Sequence, residues 1–341
     1  MKKILLLGAG SIGKRHLMNA VTAGGREFVI VDPRADRRDE AKQRAEETYA
    51  GLPAAARRQP LQLWLEKSSV DAYRTHRCDG VIIAMPPLCH LDEMERAVAQ
   101  GVHVFCEKPL TKNEDQPERV LKLVRAMQRK RLVNVIAYNY RFCPQLMQFR
   151  QLLQDGVVGK MLTVRGTFSE NLREWHPWEG LNFYMSSKKL GGGALLDESH
   201  LIDLCRWLFG DIREVCGFNG TVSSLGQERV FETDDLVEIL ARFESGVIAS
   251  LHMDLFGKYH QKKLEVIGET GTALWIFDNS DLENNRIEIW RGARHVVSAN
   301  ESRRKPEVVY YTDWKVRNHM YVELMRYFFT SVAKRRHIRP D

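Results

Sequence analysis

The chain has 341 residues, 44% hydrophobic and 28% charged, with a formal net charge of +7 at pH 7. The length argues for two domains and the composition for ordinary globular packing. No apolar run reaches the ~18 residues of a membrane span, and the apolar stretch after Met1-Lys2-Lys3 is too short for a signal peptide, so a cytoplasmic protein with no membrane partner is expected.

Ile4 to Leu7 is a short buried strand that runs into Gly8, Gly10 and Gly13, the G-x-G-x-x-G spacing. A helix follows, from Lys14 to Ala23. Gly8 permits the bend out of the strand, Gly10 leaves room for a pyrophosphate to approach the backbone, and Gly13 lets helix and strand pack closely. The start of the helix, Ser11 and Ile12 included, offers unpaired N–H groups and a positive dipole end to phosphates. A second strand, Phe28 to Val31, ends in Asp32, nineteen residues past Gly13, where a carboxylate holds ribose hydroxyls. These features point to a dinucleotide. Asp32 favours NAD, because its charge repels a 2′-phosphate. Arg34, Arg37 and Arg38 follow closely and keep NADP possible.

Strands and helices alternate onward. A helix is expected over 36–47 and another over about 61–67. Gly80 to Met85 is a continuous apolar strand closed by Pro86-Pro87. Then come a helix from Leu91 to Gln100, a strand from Val102 to Cys106, a helix from Asp115 to Arg129 and a strand from Leu132 to Ala137. This is the grammar of a doubly wound parallel sheet. It changes near residue 140. Helices are expected over 144–154 and 194–209, with strands over 159–170, 237–243, 246–253, 263–267, 273–277 and 286–291. Turn signals between several of these imply an open, mostly antiparallel sheet. A helix from Asn318 to Ala333 ends the pattern. The expected domains are therefore 1–140, which binds dinucleotide, and 141–341, an α+β domain.

Six cysteines (78, 89, 106, 143, 205 and 216) show no C-x-x-C spacing, so reduced thiols and no metal site are expected. The basic residues from Arg34 to Arg44 alternate with acids as a solvated helix face does. No helix-turn-helix or aromatic platform suggests nucleic acid as a partner.

Ligands of such a sheet bind at the C-terminal ends of its strands. Ala84, Met85, Pro86 and His90 fall there, as do Glu107 and Lys108. Taken alone, Lys108 reads as a surface lysine or as a group that holds a substrate hydroxyl. Within residues 191–203, Asp197 and His200 share a face if helical. They suit either proton transfer or a cap beside a packed histidine.

The combination of GAGSIGKRH, MPPLCH (85–90), CEKPLT (106–111), YNYRF (138–142) and GGGALLDESHLIDLCRWLFG resembles the Gfo/Idh/MocA oxidoreductases across nearly the whole chain. The resemblance implies a Rossmann domain followed by an α+β domain with an open sheet. It implies a catalytic set of Lys108, Asp197 and His200, and a Lys108–Pro109 bond that is often cis. It also implies hydride transfer between a nicotinamide and a secondary alcohol of a sugar, nucleotide-linked sugar or cyclitol. Two residues stand between Asp197 and His200, where the commonest family pattern has three. Asn139, Tyr138 and Arg141 are expected at the nicotinamide end, and Arg173, His176, Trp178 and Tyr184 in a loop facing substrate. Two other readings of the fold stay open: a non-catalytic nucleotide- and sugar-binding regulator, and NAD-dependent cleavage of a glycosidic bond. Homodimers or homotetramers, formed through the open sheet, are usual for the family.

Overall fold

The structure, a computed structural model, describes residues 3–112, 117–175, 180–278, 284–291, 306–311 and 318–335. Over the described residues the chain parts into two compact units. One comprises Met1–Asn139, Lys189–Gly191 and Asn318–Asp341, the other Tyr140–Lys188 and Gly192–Arg317.

The first unit runs β1 (Lys3–Leu7), α1 (Ser11–Thr22), β2 (Glu27–Val31), α2 (Ala35–Ala50), β3 (Gln62–Glu66), α3 (Ser69–Thr75), β4 (Gly80–Ile83), α4 (His90–Ala99), β5 (His103–Cys106), α5 (Pro117–Arg129) and β6 (Asn134–Ile136). Its six strands are all parallel, in the order β3-β2-β1-β4-β5-β6. Ile4, Leu5, Leu6 and Leu7 are fully buried, as are Val81, Ile82 and Ile83. A parallel sheet covered on both faces needs such continuous apolar strands, and each side chain contributes about 1.5–3 kcal/mol by leaving water. The charges of α2 behave as a solvated face: Arg44 meets Glu40 at 2.7 Å and Lys42 meets Glu46 at 4.0 Å, both four residues apart.

The helix expected over 61–67 is instead the edge strand β3. It pairs in register with β2, Glu27 opposite Gln62 and Val31 opposite Glu66. Ladder partners on the open edge of β2 outweigh the weak helix propensity of a five-residue segment. The helix follows later, as α3, where the Ser68 side chain accepts the Asp71 N–H at 3.2 Å. The start expected for α5 at Asp115 lies outside the described residues.

The second unit contains α6 (Pro144–Gln154), β7 (Met161–Asn171), α7 (Leu172–Trp175), α8 (Ala194–Asp197), α9 (His200–Phe209), β8 (Ile212–Gly220), β9 (Leu236–Phe243), β10 (Ile248–Asp254), β11 (Phe256–Gly268), β12 (Gly271–Phe277), β13 (Arg286–Arg291) and β14 (Val308–Tyr311). Its eight strands lie in the order β14-β13-β12-β11-β7-β10-β9-β8. Among the described pairs only β7 with β10 is parallel; the rest are antiparallel. The buried face carries Phe168, Trp275 and Phe277, with the Trp275 indole N–H donating to the Gln145 side-chain oxygen at 3.0 Å. That bond satisfies the one polar atom of a fully buried indole.

The last helix, α10 (His319–Lys334), departs from the expected division at residue 140. It belongs to the first unit, where it packs on α1. Phe328 meets Phe105 edge-on with ring centres 5.7 Å apart, and Asn318 exchanges side-chain hydrogen bonds with Asn19. The apolar stripe of α10 is visible in the sequence, but the surface that it covers, on α1 and at Phe105, is remote in the chain and leaves no local mark. Among the described residues no helix is long and apolar enough to cross a membrane.

Candidate functional site

The glycine turn leaves β1 with Gly8 at φ +91°, in the left-handed region. A Cβ there would lie 2.6 Å from the Ala84 carbonyl oxygen, and one on Gly13 would lie 1.9 Å from the Gly8 carbonyl oxygen. These two glycines are demanded by close backbone approach. Gly10 differs: a Cβ there would project into open space, with nothing within 4 Å. Gly10 also caps α1, accepting the Lys14 N–H at 2.9 Å, while Ser11 and Ile12 open its first turn. The residues present thus fit a pyrophosphate at the head of α1.

Asp32 is buried at the end of β2. One carboxylate oxygen accepts the Ala9 N–H at 2.9 Å and the other the Arg34 N–H at 3.0 Å. The acid therefore braces the turn, and each of its oxygens keeps a further lone pair. The Arg34 guanidinium is bound to Asp36 at the surface, and Arg38 donates to the Asp32 carbonyl at 2.6 Å.

At the ends of β4 and β5 the predicted residues come together, with unequal parts. Met85 lies beside Gly8. His90 is fully buried, its ring nitrogens 2.7 Å from the Pro109 carbonyl oxygen and 2.8 Å from that of Met85. It ties the ends of two strands together. Glu107 is buried as well. Its carboxylate takes the Lys108 backbone N–H at 3.0 Å and faces His16 Nε2 at 2.5 Å. The Lys108–Pro109 bond is cis. Cys106 is fully buried, and desolvation pushes its thiol well above the ordinary range, which makes it inert. Asn139 is buried in a short 3-10 turn that follows β6, and Tyr138, half-buried, precedes it.

In the second unit the single helix expected over 194–209 is two. α8 ends at Asp197 and α9 begins at His200. The Ser199 hydroxyl donates to the Leu196 carbonyl at 2.7 Å, a local bond that competes with helix continuation. Gly193, at φ +111°, leads into α8. Asp234 then holds the helix start, its carbonyl and carboxylate accepting the Ala194 and Leu195 N–H groups at 2.9 and 2.8 Å. Nothing in the local sequence marks Asp234 as that cap.

Asp197 is buried and accepts the Tyr184 hydroxyl at 2.7 Å. The His200 ring stands edge-on to Tyr140, centres 5.0 Å apart. Arg141 is bound in a fork to Asp203 at 2.6 and 2.7 Å. Burial raises the Asp203 carboxyl, opposed by the Arg141 hydrogen bonds. Arg141 thus braces α9. Arg173 pairs with Glu228 at the surface, at 2.9 Å. His176 and Trp178 lie outside the described residues. His16, Tyr140 and Asp234 carry no mark of a site in the sequence, and Asp203 is marked only by its spacing from Asp197 and His200. His16 and Asp203 stand inside the motifs GAGSIGKRH and DESHLID, yet only their partners reveal a role.

A parallel six-strand sheet, a glycine turn and an acid closing β2 define a dinucleotide-binding protein of Rossmann type. Residues 2–136 match the family described as oxidoreductase family, NAD-binding Rossmann fold, and residues 146–274 match the GFO/IDH/MocA C-terminal domain. The chain belongs to the Gfo/Idh/MocA family of oxidoreductases. It is 26% identical to levoglucosan dehydrogenase of Pseudarthrobacter phenanthrenivorans over 63% of this chain and 59% of that relative, so the match leaves a substantial part of the relative's length uncovered. It is 26% identical to inositol 2-dehydrogenase of Corynebacterium glutamicum over 80% of this chain and 72% of that one. Among solved structures, levoglucosan dehydrogenase in complex with NADH and levoglucosan shares the fold with a TM-score of 0.79 at 20% identity, covering 100% of this chain and 92% of that one. A 3-ketoreductase from Actinomadura kijaniata in complex with NADP and TDP-benzene does so with 0.74 at 18% identity, covering 99% and 91%.

Proposed function

We propose that this chain is a nicotinamide-dependent dehydrogenase or reductase that acts on a secondary alcohol or ketone of a sugar, nucleotide-linked sugar or cyclitol. The observation that carries the reading is the glycine turn, open only at Gly10, in a chain that also keeps Lys108 and His200. The nicotinamide, when bound, supplies the hydride acceptor or donor. Lys108 hydrogen-bonds the reacting oxygen and stabilises its developing charge. His200 takes the hydroxyl proton, or returns it in the reducing direction. Asp197, its carboxylate oriented by the Tyr184 hydroxyl, orients or relays. Tyr138 and Asn139 serve the nicotinamide end. In the substrate loop Arg173, paired with Glu228 at the surface, joins Tyr184, His176 and Trp178 in setting selectivity.

NAD is the preferred cofactor. The Asp32 carboxylate closes β2 and its charge disfavours a 2′-phosphate, and Arg38 is held on the Asp32 carbonyl, while Arg34 and Arg37 at the surface keep NADP possible. The exposed face of the eight-strand sheet carries Leu240 and Ile248, which supports association into a homodimer or homotetramer. Light scattering of the purified chain tests that point.

The functional test is a fluorescence titration with NADH and NADPH, followed by an oxidation panel of inositols, levoglucosan, free sugars and nucleotide sugars. NADH binding with turnover of one panel member, lost by 10²-fold or more in both Lys108→Ala and His200→Ala, is the expected result. Cofactor binding without any turnover would instead favour a regulator or glycosidic-bond cleavage. Failure to bind either cofactor would refute the reading.

A further inference from the structure

One buried pair in the first unit has no part in the scheme above. His16, on α1, is 0% exposed, and Glu107, just past β5, is 8% exposed. Ninety-one residues separate them in the chain, yet His16 Nε2 and Glu107 Oε1 are 2.5 Å apart. The other oxygen of the same carboxylate receives the Lys108 backbone N–H at 3.0 Å. The Glu107 backbone N–H continues the parallel ladder, donating to the Ile83 carbonyl at 2.9 Å. His16 Nδ1 is buried and has no hydrogen-bond partner among the described residues. The ring packs edge-on to Phe105, centres 4.9 Å apart, and faces Tyr321 of α10 at 6.1 Å. The Arg15 guanidinium lies over the Tyr321 ring, 4.9 Å from its centre.

Burying two polar groups costs free energy unless they bond each other, and leaving Nδ1 without a partner adds to that cost. An apolar pair of similar size would stabilise this core at least as well. What an apolar pair could not do is grip the Lys108 amide. Glu107 has two oxygens and two partners. His16 holds the carboxylate from the helix side, which leaves the second oxygen aimed at the backbone of the residue that carries the ammonium group. With His16 gone, the carboxylate is free to turn away from the Lys108 N–H.

We propose that His16 is a positioning residue for Lys108, acting through Glu107, within a pocket that Tyr321 of the C-terminal helix keeps dry. The proposal rests on the reading of Lys108 as a catalytic group. A hydrogen bond shielded from water is stronger and better directed than an exposed one, which gives α10 its part.

The test compares His16→Asn with His16→Gln. The glutamine amide reaches the position of Nε2 and keeps a donor toward Glu107; the asparagine amide stops one carbon short. Three quantities are read on the full chain: kcat and KM on whichever panel compound the wild type oxidises, the NADH dissociation constant by fluorescence, and amide exchange at Lys108. Pro109 has no N–H, so overlapping peptides isolate that single amide. The expected result for His16→Asn is a kcat lower by about 10- to 100-fold, an NADH constant within about threefold of wild type, and Lys108 exchange at least about tenfold faster. His16→Gln recovers most of both effects. Should His16→Asn fail to fold, Glu107→Met, which fills similar space but removes the acceptor of the Lys108 N–H, replaces it with the same expected loss. Unchanged exchange in a folded His16→Asn overturns the proposal, as does faster exchange with an unchanged kcat or a glutamine variant that recovers neither. If the wild type oxidises nothing on the panel, the dehydrogenase reading fails by itself, and the exchange comparison still decides whether His16 holds the Lys108 backbone.

Discussion

Gly10 and Gly13 separate the two demands placed on a dinucleotide turn, and alanine at each has a different expected cost. At Gly13 the new Cβ would lie 1.9 Å from a backbone oxygen, at least 1.1 Å inside the 3.0 Å limit that real contacts respect. Neither partner is a side chain that can swing away, so α1 or the turn must shift. Overpacking of this kind costs about 3 kcal/mol at the upper end of its usual range. For a unit of this size that corresponds to a fall in Tm of about 6–12 °C. At Gly10 the backbone sits at φ −69° and ψ −170°, which alanine adopts readily, and nothing lies within 4 Å. The fold loses only the preference of a helix cap for glycine over alanine, under about 1 kcal/mol. The methyl group does, however, occupy the space assigned to the pyrophosphate. NADH binding should therefore weaken by at least about tenfold, equivalent to about 1.4 kcal/mol. Thermal unfolding followed by circular dichroism reads the first quantity and NADH fluorescence the second. Gly10→Ala should lose binding and keep Tm, whereas Gly13→Ala should lose both. A Gly10→Ala protein that binds NADH as the wild type does would refute the placement of the pyrophosphate at this turn.

Three further outcomes follow from the second unit. Tyr184→Phe deletes the hydroxyl that donates to Asp197 at 2.7 Å; kcat on the panel substrate should drop several-fold with NADH affinity unchanged, and an unchanged kcat would remove Asp197 from the proton path. Arg141→Ala leaves the buried Asp203 carboxylate without its fork, so the second unit should lose about 3 kcal/mol, measured by urea unfolding, while Arg141→Lys restores only part because it cannot bind in a fork. His252 sits 2.8 Å from Asp254 and 2.6 Å from Glu238, and these hydrogen bonds, that of Asp254 foremost, raise its pKa to about 9 despite partial desolvation. The imidazolium is thus favoured in the folded state, and its stabilisation is complete below the unfolded value of about 6.5 and fades as pH rises through 9. The Tm advantage of wild type over His252→Gln, followed from pH 6 to pH 10, should shrink across that interval; a constant difference would assign His252 to packing alone.

The sequence was sufficient for whatever depends on near neighbours. The apolar runs at 4–7 and 80–83 can only be buried strands. The glycine spacing and Asp32 mark the first βαβ unit, and Pro144 and Gly156 bracket α6 so closely that its limits are read directly. Lys108, Asp197 and His200 are candidates from sequence because their motifs are contiguous. Tertiary structure decided whatever needs a distant partner. Residues 62–66 became a strand because β2 offered a free edge, and α10 left the second unit because its apolar stripe is complementary to α1 and β5. Arg141 is held by Asp203 and His90 by two backbone carbonyls, partners that no local pattern names. The His16–Glu107 pair exists only through closure of the first sheet. Local propensity is summed over a few residues, whereas burial and hydrogen-bond satisfaction are settled by groups far apart in the chain, and that is why the elements were legible and the supports of the site were not.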